Sequence, residues 1–277
     1  MPPETPPQRL SGYAIGIFEI FISRKGLKKA IKRGQILIDG KIGNTGDWVL
    51  PNQKISVLED LRKTPKILPL SIPVIYEDEH LAILHKPASL PVSGNRYRTL
   101  ENALPFNLQK SNLLEAMPWP RPVHRIDAAT SGLLIVAKTY LAMVQLGQNF
   151  EVGAIQKTYK AVVWDNLPND SGIINTLVDE KTALTNYVVT RSINHSKLGR
   201  LSEVRLELKT GRTHQLRKHL SGIGNDILGD LVYGKSERPK VRGLWLWATE
   251  IKFLHPIIEE PIHFKLGMIN KVERLFK

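Results

Sequence analysis

Between residues 201 and 208 apolar and polar side chains alternate. Val204, Leu206 and Leu208 fall on one face, and Glu203, Arg205 and Glu207 fall on the other. A period of two predicts a half-buried strand with the charged set outward. Residues 157–164 predict a second strand, and the apolar run 133–138 a third, buried one. Residues 139–150 carry apolar positions at helical spacing. Residues 74–76 and 81–84 flank the polar turn Glu77-Asp78-Glu79-His80 and read as a hairpin. Strands and helices mix without regular alternation. A mixed α+β sheet is therefore expected rather than a doubly wound one.

The N-terminal quarter is patterned differently. Ser23 is a candidate N-cap and Gly34 a candidate stop for a helix whose inward positions are Leu27, Ala30 and Ile31. Arg24, Lys25, Lys28, Lys29, Lys32 and Arg33 occupy the rest of it, with no acid among them. A solvated helix normally mixes signs to gain pairs one turn apart, so a face of one sign looks prepared for phosphates. Two short strands follow, at 35–41 with a turn at Asp39-Gly40, and at 54–58 after Pro51-Asn52. Basic helix, hairpin and closing strand together resemble the S4 RNA-binding module over residues 8–60, with a less typical first helix around Ile15 to Phe21. The boundaries expected are an S4-like α/β module over 1–60, a proline-rich linker over 61–71 and a larger domain over 72–277. Met1-Pro2-Pro3-Glu4-Thr5-Pro6-Pro7 is expected to be a short disordered tail.

Composition narrows the classes. The chain has 277 residues, 39 Lys and Arg against 26 Asp and Glu, and no cysteine. A net charge of +13 favours a polyanionic partner, of which RNA and DNA are the commonest. Residues 1–66 hold 12 of the basic residues and 6 of the acids, so positive charge is densest there. Without cysteine there is no disulfide scaffold, thiolate nucleophile or thiolate metal site, which fits a reducing compartment. No apolar run approaches the roughly 20 residues that cross a bilayer, and the start lacks the pattern of a secretory signal. A cytoplasmic, monomeric protein is expected, without a membrane partner.

Residues 121–139 are the most informative stretch, because a loop holding His124, Arg125, Asp127, Thr130 and Ser131 runs straight into a buried strand. A rigid element beside a carboxylate is a normal way to hold a reacting group. On local features alone such an Asp is more often a turn or capping residue than a reacting group, and the Asp-x-x-Thr-Ser spacing suits loop hydroxyls bonding the backbone. Thr130-Ser131-Gly132 lacks the first glycine of a serine-hydrolase elbow. Neither a Walker loop nor a dinucleotide-binding glycine run is present, and Gly222-Ile223-Gly224 comes only weakly near. His214 and His219 stand five apart, off the spacing of a helical zinc pair.

The segment His124-Arg125-Ile126-Asp127-Ala128-Ala129-Thr130-Ser131-Gly132-Leu133-Leu134 resembles the His-Arg-Leu-Asp-x-x-Thr-Ser-Gly-Leu-Leu signature of RluA-type pseudouridine synthases. Further segments resemble that family in its own order. They are Glu77 to His80 with Lys86 to Val92, then Lys157-Thr158-Tyr159-Lys160-Ala161, Thr210 to Leu220, Gly229 to Gly234, and Phe253-Leu254-His255-Pro256. Ile126 replaces the usual Leu, and Trp247 stands where the pattern commonly has His, which unsettles packing near the last strand. The resemblance implies a mixed, mainly antiparallel pseudouridine synthase sheet and isomerisation of uridine within RNA, with no cofactor and no metal.

It also implies roles. Asp127 would meet the ribose carbon, Arg217 would oppose proton uptake by that carboxylate and fix its geometry, and Tyr159 would stack on the uracil and help remove the C5 proton. Arg125, His124, Thr130 and Leu216 would be the substrate-binding set, with Leu216 lining the base pocket, His124 ordering the loop and Arg125 entering the space vacated by the flipped base. Each has a plainer alternative: an exposed helical cation for Arg217, a core aromatic for Tyr159, a core aliphatic for Leu216. Family members act on ribosomal or transfer RNA, and the N-terminal module tilts the expectation toward large-subunit ribosomal RNA. A catalytically silent RNA-binding or ribosome-assembly factor on the same fold is the rival. Changing Lys28, Lys29 and Lys32 together to Ala is expected to flatten the salt dependence of RNA binding by about 0.7–0.9 per lost phosphate contact. An unchanged slope would mean that the basic helix does not touch RNA.

Overall fold

The computed structural model describes residues 1–15, 17–18, 24–32, 34–57, 66–267 and 269–277. The chain divides into two units, Met1–Lys66 and Ile67–Lys277. Among the described residues no helix is long and apolar enough to cross a membrane.

The smaller unit contains β1 (Gln8–Arg9), α1 (Leu10–Tyr13), α2 (Arg24–Lys32), β2 (Ile36–Ile38), β3 (Lys41–Ile42), β4 (Trp48–Val49) and β5 (Ile55–Val57). Leu27, Ala30 and Ile31 of α2 are buried with Leu10, Ala14, Ile36 and Val49. Arg24, Lys25, Lys28, Lys29 and Lys32 are exposed on the rest of that helix. Arg33, the candidate N-cap Ser23 and linker residues 61–65 lie outside the described residues. So do residues 16 and 19–21 of the expected first helix, whose described counterpart, α1, lies earlier. Gly34 ends α2 with φ +68°, and Asp39-Gly40 forms the hairpin turn with φ of 49° and 80°. The N-terminus departs from the disordered tail expected. The Met1 amine donates to the Gln53 carbonyl at 2.6 Å, and Asn52 N–H donates back to the Met1 carbonyl at 3.0 Å. Met1 also packs on the small core, and β1 pairs with β4, so burial and backbone pairing offset the ordering cost.

The larger unit runs β6 (Val74–Glu77), β7 (Leu81–Lys86), α3 (Leu100–Asn107), β8 (Ala116–Pro122), β9 (Ser131–Thr139), α4 (Tyr140–Glu151) and β10 (Gln156–Trp164). It continues with β11 (Ser171–Ile174), β12 (Thr185–His195), β13 (Gly199–Leu208), α5 (Gln215–Gly222), β14 (Leu246–Leu254), β15 (Pro261–Lys265) and α6 (Asn270–Leu275). Its sheet has the order β11-β12-β13-β10-β14-β9-β7-β6, with β15 beside β14 and β8 beside β9. The β14–β9 pair is parallel and the other pairs are antiparallel, which is the mixed α+β sheet expected. Residues 67–71, expected in the linker, join this unit. Leu68 and Leu70 pack on its core, and Leu68 N–H donates to the Asn102 carbonyl at 2.8 Å.

Strand β9 is buried on both faces, which is why it reads as an unbroken apolar run. Leu134 and Val136 face a core that includes Leu100 and Leu104 of α3 and Leu216 and Leu220 of α5. Leu133, Ile135 and Ala137 face the opposite core, with Ala142 and Leu146 of α4. The alternation in β13 holds for Val204 and Leu206 but fails at Glu203, which is 3% exposed. Lys160 Nζ at 3.0 Å and Arg191 Nε at 2.6 Å close over its carboxylate, beside a bulge in β12 between Val189 and Arg191. Two cations drawn across the sheet make burial of this acid affordable.

One backbone approach sets the centre of the sheet. Gly132 lies opposite Ala248 in the parallel pair, and Ala248 lies opposite Tyr159 in the neighbouring antiparallel pair. Gly132 has φ +127°, and a Cβ there would stand 2.2 Å from the Ala248 carbonyl oxygen. Only glycine admits that approach. The register between β10 and β14 shifts between Thr158 and Tyr159, leaving Thr249 as an extra residue beside the tyrosine. Gly132→Ala is expected to cost more than about 3 kcal/mol, because strained φ and a backbone clash coincide. Urea denaturation followed by circular dichroism checks it, and a midpoint within error of the parent would contradict this account of the junction.

Candidate functional site

The β8–β9 loop carries Asp127 to the end of the glycine junction. Its turn is closed by Thr130 N–H donating to the Asp127 carbonyl at 3.0 Å, and Thr130 is buried. Lys86, at the end of β7, is fully buried. Its ammonium donates to the carbonyls of Pro87 at 2.9 Å, Leu90 at 2.8 Å and Ala128 at 3.2 Å. This lysine ties two loops together beneath Asp127. Burial pushes its pKa down to about 8, with the Asp127 carboxylate opposing the shift.

The opposite wall comes from α5 and the loop before it. His214 occupies the left-handed region at φ 55°, and its Nδ1 lies 2.9 Å from the Tyr233 hydroxyl. Gln215 is buried as a brace: its Oε1 accepts from Thr210 Oγ1 at 2.8 Å and Arg212 N–H at 3.0 Å. Its Nε2 donates to the Leu184 carbonyl and Thr185 Oγ1, both at 3.0 Å. The helix therefore starts at a fixed angle, with Leu216 and Arg217 buried toward Asp127.

Asp127, Thr130, Tyr159, Leu216, Arg217 and Arg125 all line one pocket. The Asp127 carboxylate is partly exposed and lies 3.8 Å from Arg217 Nη1 and 3.7 Å from His214 Nε2. Arg217 therefore stands at ion-pair distance from Asp127, but its tightest partner is another acid. The Arg217 guanidinium makes its short bonds to Asp230, from Nε and Nη2, each at 2.7 Å. A bidentate carboxylate outcompetes a single longer contact. Burial alone would raise the Asp230 carboxyl. The bonds from Arg217 and from Val232 and Tyr233 N–H overcome that and hold it below its ordinary value. Tyr159 is buried, and burial together with the Asp127 charge pushes its phenol well above the usual range.

His124, placed among the substrate-binding residues as the one that orders the loop, does not line this pocket. Its Nε2 accepts from Ile135 N–H at 3.0 Å and its ring lies 4.7 Å from Phe150. Burial and the positive charge of Lys157 push its pKa down to about 3, so it orders the loop as a neutral imidazole. The basic residues of α2 belong to the smaller unit and its exposed face. Asp230, Lys86, Gln215, His214 and Tyr233 all fall within the segments quoted above, yet nothing in the sequence marked them as the braces. Trp247, in place of the usual His, packs edge-on against Trp245 at 5.8 Å and faces Ser131 across the parallel pair. Among the described residues no three His, Asp or Glu side chains gather as a metal site.

The sequence profile of the RNA pseudouridylate synthase family matches residues 80–222, slightly more than half of the chain. The chain belongs to that family. The synthase is an isomerase of uridine in RNA, and its pocket lies within the matched span together with Leu246. A ribosomal large subunit pseudouridine synthase D from Zymomonas mobilis subsp. mobilis is 37% identical over 241 residues, covering 77% of this chain and 74% of its own. A protein of the same name from Xanthomonas campestris pv. campestris is 33% identical over 285 residues, covering 91% and 83%. The human RNA pseudouridylate synthase domain containing 1 and domain containing 4 proteins share the fold. Their TM-scores are 0.59 and 0.60 at 20% and 22% identity, covering 75% and 74% of this chain and 95% and 93% of theirs.

Asp230→Asn is expected to destabilise the synthase by about 3 kcal/mol at neutral pH, because it leaves a buried guanidinium without its counter-charge. The Asp230 pKa is lowered in the folded state. Its contribution is therefore present above the unfolded value of about 4 and lost as pH falls through the folded one. The stability gap between parent and variant should stay constant near neutrality and close in acid. Urea titrations at a series of pH values measure it, and a gap that widens toward low pH would refute the assignment.

Proposed function

We propose that the synthase isomerises uridines of large-subunit ribosomal RNA through Asp127, in the cytoplasm, with residues 1–60 acting as an S4-like module that adds affinity. The names of the bacterial relatives support the ribosomal target. The observation that carries the mechanism is a single pocket holding a partly exposed carboxylate, a buried tyrosine and a braced arginine. In the reaction the bond from uracil N1 to ribose C1′ breaks, the base turns, and C5 bonds to C1′. C5 then loses its proton and N1 gains one. The sugar carbon becomes electron-poor as the first bond breaks, and Asp127 meets it as nucleophile or as electrostatic partner. Nothing is oxidised or reduced, and the proposal calls for no cofactor or metal.

Arg217, fixed by Asp230, keeps positive charge beside Asp127 without clamping it. Tyr159 presents its ring face to the uracil as a neutral phenol. Once C5 has bonded to C1′ and the Asp127 carboxylate is free again, the phenol oxygen takes up the C5 proton as its own O–H proton passes to that carboxylate. Leu216 and Thr130 shape the base site, and Arg125, exposed at the rim, fills the gap left in the RNA stack.

Asp127→Asn is expected to lower pseudouridine formation by at least about 10³-fold while RNA affinity stays within about twofold of the parent. Ribosomal RNA from a deletion strain, treated with each protein and mapped chemically for pseudouridine, gives the readout. Modification that persists in the variant would remove Asp127 from the reaction. Equal rescue of the deletion strain by both proteins would make binding the cellular role.

A further inference from the structure

Beside the pocket lies a second, larger cavity of about 670 Å³, walled by the end of α4, the start of β10 and the loop after β13. The two cavities adjoin and share a wall. Arg125, Lys157, Leu208, Gly211 and Arg212 line both. The larger one is cationic, with Arg205, Lys209 and Lys252 added to those three and Glu151 and Glu207 as its acids.

The cations are not equivalent. Arg205 pairs with Glu207 at 2.8 Å, Lys209 with Glu207 at 3.6 Å, and Lys252 with Glu250 at 3.1 Å. Among the described residues no carboxylate pairs with Arg125, Lys157 or Arg212, and these are the three at the junction. Arg212 Nε donates to the Thr182 carbonyl at 3.1 Å, which aims the group without neutralising it. Lys157 Nζ sits 5.0 Å over the Phe150 ring and 4.0 Å from where a Cβ on Gly211 would be, so it is half-buried over a gap that glycine leaves open. Lys157 shares the smaller pocket with Asp127 but forms no ion pair with it, and burial disfavours its charged form, so a partly desolvated cation stands without a close counter-ion. Water fills such a cleft at little cost, but a chain of phosphates supplies what the cations lack.

We propose that this cleft carries the single-stranded RNA backbone on one side of the target uridine, with Lys157 and Arg212 holding the phosphate at the junction between cleft and pocket. The inference rests on the reading that the adjacent pocket takes the uridine. A uridine flipped into that pocket must leave its flanking phosphate at the rim, and the rim is where the unpaired charge stands. Arg125 shares this rim and remains free to enter the stack. Phosphate contacts of this kind fix register and carry little sequence information, so the cleft would position the strand and leave selection to RNA shape.

The test uses the full chain and a fluorescein-labelled oligouridylate of about 12 nucleotides, with anisotropy recorded across a salt series. Lys157→Gln and Arg212→Gln are each expected to reduce the slope of log Kd against log salt by about 0.7. Lys157→Arg should restore it. Changing the exposed Lys110, Lys197 and Lys240 together to Gln, none of which lines either cavity, should leave it unchanged. Arg212 is an exposed loop residue, so its variant remains informative if Lys157→Gln proves unstable. Slopes unchanged in the cleft variants, or lowered as much by the three control lysines, would overturn the proposal. The readout is separate from turnover. If Asp127→Asn binds with the parent slope and no pseudouridine forms with either protein, the cleft stands while the catalytic reading falls.

Discussion

Gly132, Ala248 and Tyr159 stand side by side on three neighbouring strands, and the absence of one side chain lets them do so. A parallel pair inside an otherwise antiparallel sheet has to bring two chain segments together from distant parts of the sequence. Here it does so where the backbone of β9 presses against a carbonyl of β14. That contact fixes where the β8–β9 loop leaves the sheet, and so where Asp127 begins. The extra residue at Thr249 then sets the face on which Tyr159 emerges. Geometry that places an acid and a phenol in one pocket is thus decided by strand register, several residues from either group.

Around that frame the polar residues are arranged in pairs that satisfy each other. Asp230 and Arg217 neutralise one another in the interior, Gln215 ties its own loop to the neighbouring strand, and Lys86 spends its donors on three carbonyls. His124 is held as a neutral acceptor behind the loop. Buried groups with their partners supplied rigidify a site. Asp127, partly exposed, differs from them, since its nearest nitrogen partners, on His214 and Arg217, stand at 3.7 and 3.8 Å.

Much of this was legible in the sequence where one local rule decided it. The apolar run of β9, the helical spacing of α4 and the Asp39-Gly40 turn all carry their structure in their own residues. The ordered motifs mark Asp127, Tyr159, Arg217, Thr130 and Leu216, and all five line one pocket. What escaped was pairing across distance. Arg217 has two acids within reach, and sequence alone does not say that Asp230 takes the short bonds. Glu203 breaks a clean alternation because Lys160 and Arg191 arrive from neighbouring strands. Met1 reads as tail because the Asn52 turn that captures it lies fifty residues away.

The bidentate pair of hydrogen bonds from Arg217 to Asp230 has a consequence for the carboxylate that Arg217 does not grip. A side chain steadied by a surrounding field, with no donor locked to either oxygen at short range, can swing toward an incoming partner and back without first rupturing anything. The cation that accompanies it stays put, anchored from behind. Such an acid is tethered in charge and loose in space, and its freedom is bought by its neighbour's captivity.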